Sequence, residues 1–167
     1  MTLTGFNFYI TLIEEGDSAA SQLFDAAKGL AVGGFSECTG LEASLELEEY
    51  REGGVNDRVY KFPTRSVYSN ITLKRGVGLS EDLWLWYEGF LKGEGVRKKG
   101  MIVLTNELKI PIKIWSFEGG MPIKWTGPSL NATSSAVAIE SLEIAHEKLE
   151  LMMSPGKALD AIAGALF

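Results

Sequence analysis

Cysteine, histidine, proline and basic charge are all in short supply in this chain. One cysteine, Cys38, stands among 167 residues. An intramolecular disulfide is therefore impossible, and a disulfide-stapled secreted domain is excluded. Synthesis and assembly in the reducing cytoplasm is the expectation. One histidine, His146, without a second His or a nearby Cys, gives no basis for a zinc site. Only 5 prolines stand beside 19 glycines, a balance that suits an all-β domain with many turns. Lys and Arg number 16 against 22 Asp and Glu, for a net charge of -6. An acidic chain has no general attraction to phosphates, so specific nucleic-acid recognition is not expected. No apolar run approaches the ~20 residues that span a bilayer. The N-terminal MTLTGFNFYITLIEEG lacks a basic n-region and reads as a strand, so neither a signal peptide nor a membrane anchor is expected.

Hydropathy alternates with period two through much of the chain. Phe6, Phe8, Ile10 and Leu12 share one face of a first strand. Asp17 to Leu30 reads as a short helix or ordered loop. From Leu41, the set Leu41, Ala43, Leu45 and Leu47 alternates with Glu42, Ser44, Glu46 and Glu48, which predicts a strand packed on a core by one side and wet on the other. Residues 49–66 carry Gly53-Gly54, Asn56-Asp57, Pro63 and charges of both signs, the pattern of a long protruding loop. Val67 to Arg75 alternates again as one strand. Ser80 is placed as N-cap of a helix over about 80–92, with Glu81 and Asp82 at its positive end. Leu83, Trp84, Tyr87, Phe90 and Leu91 form its apolar stripe, widened by Leu85 and Trp86. Further strands are expected at 101–105, 108–117 and 121–125, with Pro111 at an edge or bulge. In the last strand, Ala136 to Glu147, the apolar phase slips between Ile139 and Leu142, which predicts a bulge near Glu140-Ser141. The tail from Ser154 reads as a small terminal helix. With no linker and no repeat, one domain is assigned to 1–167: a core over 1–150 and a C-terminal tail over 151–167.

Catalytic constellations are missing. Cys38 has no base near it in sequence, and His146 reads as a hydrogen-bonded structural residue. Gly76-Val77-Gly78 precedes a helix, but the third glycine of a dinucleotide loop is replaced by Glu81, whose carboxylate repels pyrophosphate. Glu140, Glu143 and Glu147 read as a solvated strand face rather than an acid–base pair. No enzyme activity and no cofactor are expected.

Six segments, in order, carry a resemblance: GFSECTGLE (34–42), EYREGG (49–54), YSNITLKRG (68–76), LWLWYEG (83–89), GPSLNA (127–132) and VAIESLEIAHE (137–147). Together they resemble the tail tube proteins of contractile phages and the inner tube proteins of phage-tail-like contractile injection systems. The resemblance implies a mainly β fold: a barrel-like or sandwich-like protomer with one flanking α-helix (about 80–92) and a protruding loop (about 49–66). It also implies self-association into hexameric rings that stack into a hollow tube. A contractile sheath would surround the tube and drive it through a target envelope, with baseplate and tube-cap proteins at its ends and cargo in its lumen. If each protomer lends about four strands, the ring holds roughly twenty-four. At ~4.8 Å spacing and ~45° tilt this gives a backbone diameter near ~50 Å.

Three groups of residues follow from that expectation. Glu49, Arg51, Glu52, Asp57 and Arg58 are assigned to contact between stacked rings. Glu42, Ser44, Glu46, Asn70, Thr72 and Lys74 are assigned to the lumen wall. Trp84 and Trp86 are assigned to a subunit or sheath contact, with a place in the core as the competing reading. A tube-end or baseplate adaptor, and a stand-alone β-barrel binding module, are the alternatives for the whole chain.

Overall fold

The computed structural model describes residues 7–14, 34–78 and 80–154. The segment expected as a helix or loop at 17–30 and the tail from 155 lie outside these residues. In chain order the elements are β1 (Asn7–Glu14), β2 (Glu37–Thr39), β3 (Ala43–Tyr50), β4 (Tyr60–Tyr68), β5 (Ile71–Gly76), α1 (Asp82–Leu91), β6 (Lys98–Thr105), β7 (Pro111–Thr126), β8 (Ile139–Ala145) and β9 (Lys148–Met153).

All pairings are antiparallel, and β7 is the element the others share. Its first half lies between β6 and β9, and β6 pairs on its other side with β1. Its second half pairs with β8, which continues to β5 and β2. The sixteen residues of β7 thus run from a first sheet (β1-β6-β7-β9) into a second (β7-β8-β5-β2). The sequence suggested two strands here, separated by Gly119-Gly120. The chain instead bends at this pair and keeps pairing. Gly119 has φ +67, in the left-handed region that glycine enters without a Cβ clash. Pro111, as expected, stands at a strand start beside a register irregularity.

The core fills the angle between the sheets. Ile10 from β1, Ile102 from β6, Phe117 from β7, Ile71 and Leu73 from β5, and Leu142 and Ile144 from β8 meet Leu83 and Trp86 of α1. Phe117 is fully buried at the corner, and its ring lies directly over the α-carbons of Gly100 and Gly120. Helix α1 docks Leu83 and Trp86, one turn apart on one face. The Trp86 indole N–H donates to the carbonyl of Val96 at 2.8 Å, and the Lys98 ammonium stands 5.5 Å from its ring. Of the two readings open for Trp86, the structure gives the core.

Several boundaries differ from those expected. The helix starts at Asp82, with Glu81 at the N-cap position and no side-chain cap. Ser80 is not the cap, because its hydroxyl donates to Asp82 Oδ1 at 2.6 Å. The strand expected from Val67 to Arg75 breaks at Ser69-Asn70. There the side chains turn aside: the Ser69 hydroxyl donates to Glu42 Oε2 at 2.8 Å, and the Asn70 amide to Glu143 Oε1 at 2.9 Å. The bulge expected at Glu140-Ser141 is absent, since β8 pairs with β5 in unbroken register. Val137 lies before the strand, and the inward set is Glu140, Leu142 and Ile144. A charge in the core phase made the pattern look slipped.

The largest correction concerns β3. Leu45 and Leu47 do not pack on a core. The hairpin β3-β4 is a separate two-stranded sheet, exposed on both faces. The expected loop at 49–66 is correspondingly shorter: Glu49 and Tyr50 belong to β3, residues 60–66 belong to β4, and only 51–59 form the tip.

A methyl group at Gly100 would strike the Phe117 ring. Gly100→Ala is therefore expected to cost about 1–3 kcal/mol by overpacking. Gly53→Ala at the open hairpin tip, where nothing lies within 4 Å, is expected to leave the midpoint unchanged. Thermal unfolding of the two variants beside the parent checks the pair.

Candidate assembly surfaces

Among the described residues, a dense polar cluster lies inside the protein. Arg75 occupies the inward phase of β5 after Ile71 and Leu73, and Glu140 faces it in register on β8. Arg75 Nε donates to Glu140 Oε1 at 2.6 Å, and Nη2 donates to Asp82 Oδ1 at 2.6 Å and to the Ser80 carbonyl at 3.2 Å. The second Glu140 oxygen accepts the Trp125 indole N–H at 3.3 Å. Arg75 thereby fastens the first turn of α1 to two wall strands. Burial pushes the Asp82 carboxyl up, but hydrogen bonds from Arg75 and Ser80 and the charge of the guanidinium outweigh this, so it sits below its ordinary value. The same two carboxylates hold the Arg75 guanidinium above its own ordinary value against the opposing effect of burial.

This cluster is structural in form. Glu140 points inward and Glu143, three residues on, points outward to Asn70, so the two carboxylates do not converge on a substrate. Cys38 packs beside the core on β2, and burial pushes its thiol up to about 11, far from a reactive thiolate. His146 Nε2 donates to the Ser69 carbonyl at 2.9 Å, and its ring packs between Tyr68 and Phe117. This is the hydrogen-bonded structural histidine expected from the sequence. No helix among the described residues is long and apolar enough to cross a membrane.

The outer face of the second sheet is mostly hydrophilic, with Ile139 and Ala145 of β8 and Met121 of β7 also in its outward phase. Glu37 and Thr39 from β2, Thr72 and Lys74 from β5, Ser141 and Glu143 from β8, and Lys124 and Thr126 from β7 share it by register. Lys74 Nζ is 3.0 Å from Glu37 Oε2, and Lys124 stands opposite Glu143. Of the six residues the sequence grouped as a lumen wall, Thr72 and Lys74 lie on this face and Asn70 touches its edge through Glu143. Glu42 precedes the hairpin, and Ser44 and Glu46 lie along it, Glu46 paired with Arg65.

Apolar side chains on the hairpin are wet. Ala43, Leu45 and Leu47 share one face with Pro63 opposite Leu47, while Tyr50, Tyr60, Phe62 and Val67 share the other with Glu46, Glu48 and Arg65. Leu45 and Leu47 are 60% and 54% exposed. The charges singled out at 49–58 lie at the tip and its approach: Glu49 stands 4.0 Å from Lys61, and Arg58 lies over Tyr60. Trp84 stays partly exposed on α1, edge-on to Trp125 with centroids 4.8 Å apart. Sequence reasoning missed Arg75 and the hairpin stem. A basic and an acidic residue in the core phases of two strands, Arg75 and Glu140, was the available sign of the first.

The described residues form a small β-rich body with open sheet edges and an exposed hairpin. The family of the T4-like virus tail tube protein gp19 matches residues 4–150, and the chain belongs to it. No curated protein matches the chain. Among solved structures, a chain of the anti-feeding prophage (AFP) baseplate, six-fold symmetrised, is similar at 22% identity and TM-score 0.76, over 93% of this chain and 98% of that one. A chain of an extracellular contractile injection system, the PVC sheath–tube complex in its extended state, is similar at 24% identity and TM-score 0.72, over 90% and 91%. A chain of the AFP tube-terminating cap is similar at 24% identity and TM-score 0.73, over 92% and 93%. These structures share the fold, and the family gives the chain a tube-type structural role.

Removing Arg75 leaves Glu140 buried and uncompensated. Arg75→Met is expected to destabilise the protein by about 3–5 kcal/mol at neutral pH, measured by denaturant unfolding. The depressed Asp82 carboxyl contributes stability above the unfolded value of about 3.9. That contribution is lost as pH falls through its lower folded value. Asp82→Asn is therefore expected to flatten the acid limb of stability against pH, read by thermal unfolding from pH 2 to 6.

Proposed function

We propose that the protein is the repeating subunit of the inner tube of a contractile injection system or phage tail. Its hexameric rings stack into a hollow tube that the sheath drives through the target envelope to deliver cargo. The observation that carries this reading is the β3-β4 hairpin. A two-stranded ribbon is marginal in water on its own, and this one exposes apolar side chains on both faces. Burial against another subunit supplies what the lone protomer lacks.

The other surfaces fit the same assembly. Among the described residues β1 pairs only with β6, and β2 only with β5. Joining such edges between subunits satisfies their open N–H and C=O groups, and a heterologous contact of this kind closes a ring by rotation. The wall bearing Thr72 and Lys74 comes from four strands per subunit and serves as the lumen surface, with Asn70, Glu42, Ser44 and Glu46 continuing it toward the hairpin. Its lysines lie beside carboxylates and, apart from Ile139 at one end and the Met121–Ala145 pair at the other, its outward side chains are polar, so most of it offers cargo little to adhere to. Trp84, with Leu85 and Leu91 exposed on the same helix, is left for a neighbouring subunit or the sheath. At the hairpin tip, Arg51, Glu52, Asp57 and Arg58, with Glu49 just before it, meet the next ring. Exposed ion pairs are worth only about 0–1 kcal/mol each, but sixfold repetition at every junction multiplies them.

Purified protein at high concentration is expected to form rings and tubes in negative-stain images. A monodisperse monomer under the same conditions would overturn the reading. An adaptor that caps the tube instead would give single rings and one ring of copies per purified particle. Deleting residues 51–58 is expected to leave the thermal unfolding midpoint of the protomer near that of the parent and to stop tube elongation. Long tubes from the deletion would sink the assignment of the tip.

A further inference from the structure

The hairpin is joined to the two-sheet body by two short linkers, 40–42 before β3 and 69–70 after β4, and among the described residues it pairs with no other strand. A ribbon held this way is a lever. At ~3.4 Å per residue the eight residues of β3 span about 27 Å, so a tilt of about 10° at the root moves the tip by about 5 Å, roughly the spacing of neighbouring strands. What fixes the root therefore decides where the tip arrives.

Both linkers are held there. Gly40 has φ +90, and a methyl group on it would strike the Asn70 carbonyl, so the first linker crosses directly over the second. The Ser69 N–H donates to the Glu42 carbonyl at 3.4 Å and the Ser69 hydroxyl to the Glu42 carboxylate, which ties the linkers to each other. The Asn70 amide ties them to Glu143 on β8. His146, in the turn between β8 and β9, reaches further. Its Nε2 donates to the Ser69 carbonyl at 2.9 Å, and its ring lies 5.6 Å from that of Tyr68, the last residue of β4. The same ring lies 5.7 Å from Phe117 at the corner of the sheets. Its Nδ1 is buried and meets no partner among the described residues, so the ring is held in direction through Nε2. The turn that carries His146 is itself pinned to the bend of β7. The Glu147 N–H donates to the Glu118 carbonyl at 2.9 Å, and the Arg97 guanidinium donates to both the Glu147 carboxylate and the Gly119 carbonyl.

We propose that His146 is a positioning residue for tube growth: with Asn70 it passes the angle set at the β7 corner to the root of the hairpin, so that the hairpin leaves every subunit in one preset direction. This rests on the tube reading and deepens it, since it names the side chains that aim the arm. An arm already aimed does not have to be ordered when subunits meet, which lowers the cost of association. In a ring, six arms have to arrive together, and the gain from repeated weak contacts is lost when geometry forbids simultaneous engagement.

Two readouts separate aiming from folding. In a Cys38→Ser background, nitroxides are attached at the hairpin tip (Asn56→Cys) and at the turn between β6 and β7 (Glu107→Cys), both exposed, and the labelled chain is diluted with unlabelled chain. Pulsed dipolar spectroscopy is expected to give one narrow distance with His146 in place. His146→Met keeps apolar contact with Tyr68 and Phe117 but removes the donor. It is expected to broaden that distance while the thermal unfolding midpoint stays within about 4 °C of the parent, the shift that one lost hydrogen bond gives a chain of this size. His146→Gln, which carries an amide donor in place of Nε2–H, should keep the distance narrow. Without labels, negative-stain images should show His146→Met halted at single rings and His146→Gln growing into tubes. A His146→Met chain with the parent's distance distribution, or with tubes of parental length, would overturn the role, as would a His146→Gln chain that behaves like His146→Met. If His146→Met lowers the midpoint further, Asn70→Ala replaces it under the same expectations, since the Asn70 side chain is exposed. An unsubstituted chain that forms neither rings nor tubes would overturn the tube reading instead, and the distance measurement would still decide whether His146 aims the hairpin.

Discussion

One strand has to serve two sheets, and the rest of the fold is arranged around how it does so. β7 pairs with β6 and β9, turns at Gly119-Gly120, and then pairs with β8. A bend of this kind leaves a corner that must be filled from within, and Phe117 fills it. Its ring needs the space that Gly100 on the neighbouring strand and Gly120 on its own strand leave free. Close packing makes such a fit sensitive to a single added carbon. The corner in turn fixes the angle between the sheets, and that angle gives α1 its seat on Leu83 and Trp86.

Charge is used differently inside and outside. Inside, Arg75 is ringed by Glu140, Asp82 and the Ser80 carbonyl, so one guanidinium holds two wall strands and a helix start in a single arrangement. A planar donor with several N–H groups can satisfy partners in different directions at once, which an ammonium does less well. Outside, on the second sheet, lysines and carboxylates lie side by side on a wall that is mostly polar. Exposed apolar side chains lie instead on the hairpin, at Leu130 and Val137 before β8, at Leu108 and Ile110 in the turn between β6 and β7, and on α1.

Much of this was legible from residue order. Alternation placed β1, β5 and the outward character of Thr72 and Lys74, and the apolar stripe placed α1. The family resemblance rested on segments that lie in β2, the hairpin, β5, α1 and β8. Alternation failed at β3 for a physical reason. Period two reports that one face prefers to leave water, but not whether the partner belongs to the same chain. Leu45 and Leu47 carry the pattern of a core strand and remain wet in the protomer. At β8 the fault was the reverse: Glu140 was read as surface because it is charged, when its charge is met by Arg75 across the ladder. The bend in β7 was hidden because glycine pairs usually end strands, and only the continued pairing on both sides shows that this pair does not.

The hairpin also has a bearing on how the chain reaches its fold. Tyr50 pairs with Tyr60 ten positions away, whereas Asn7 pairs with Thr105 ninety-eight positions away. Local ribbons form in about 1–10 μs, while pairings between distant segments come later. The ribbon with the most exposed apolar surface therefore exists before the body that orients it, and newly made chains pass through an interval in which aggregation competes with folding.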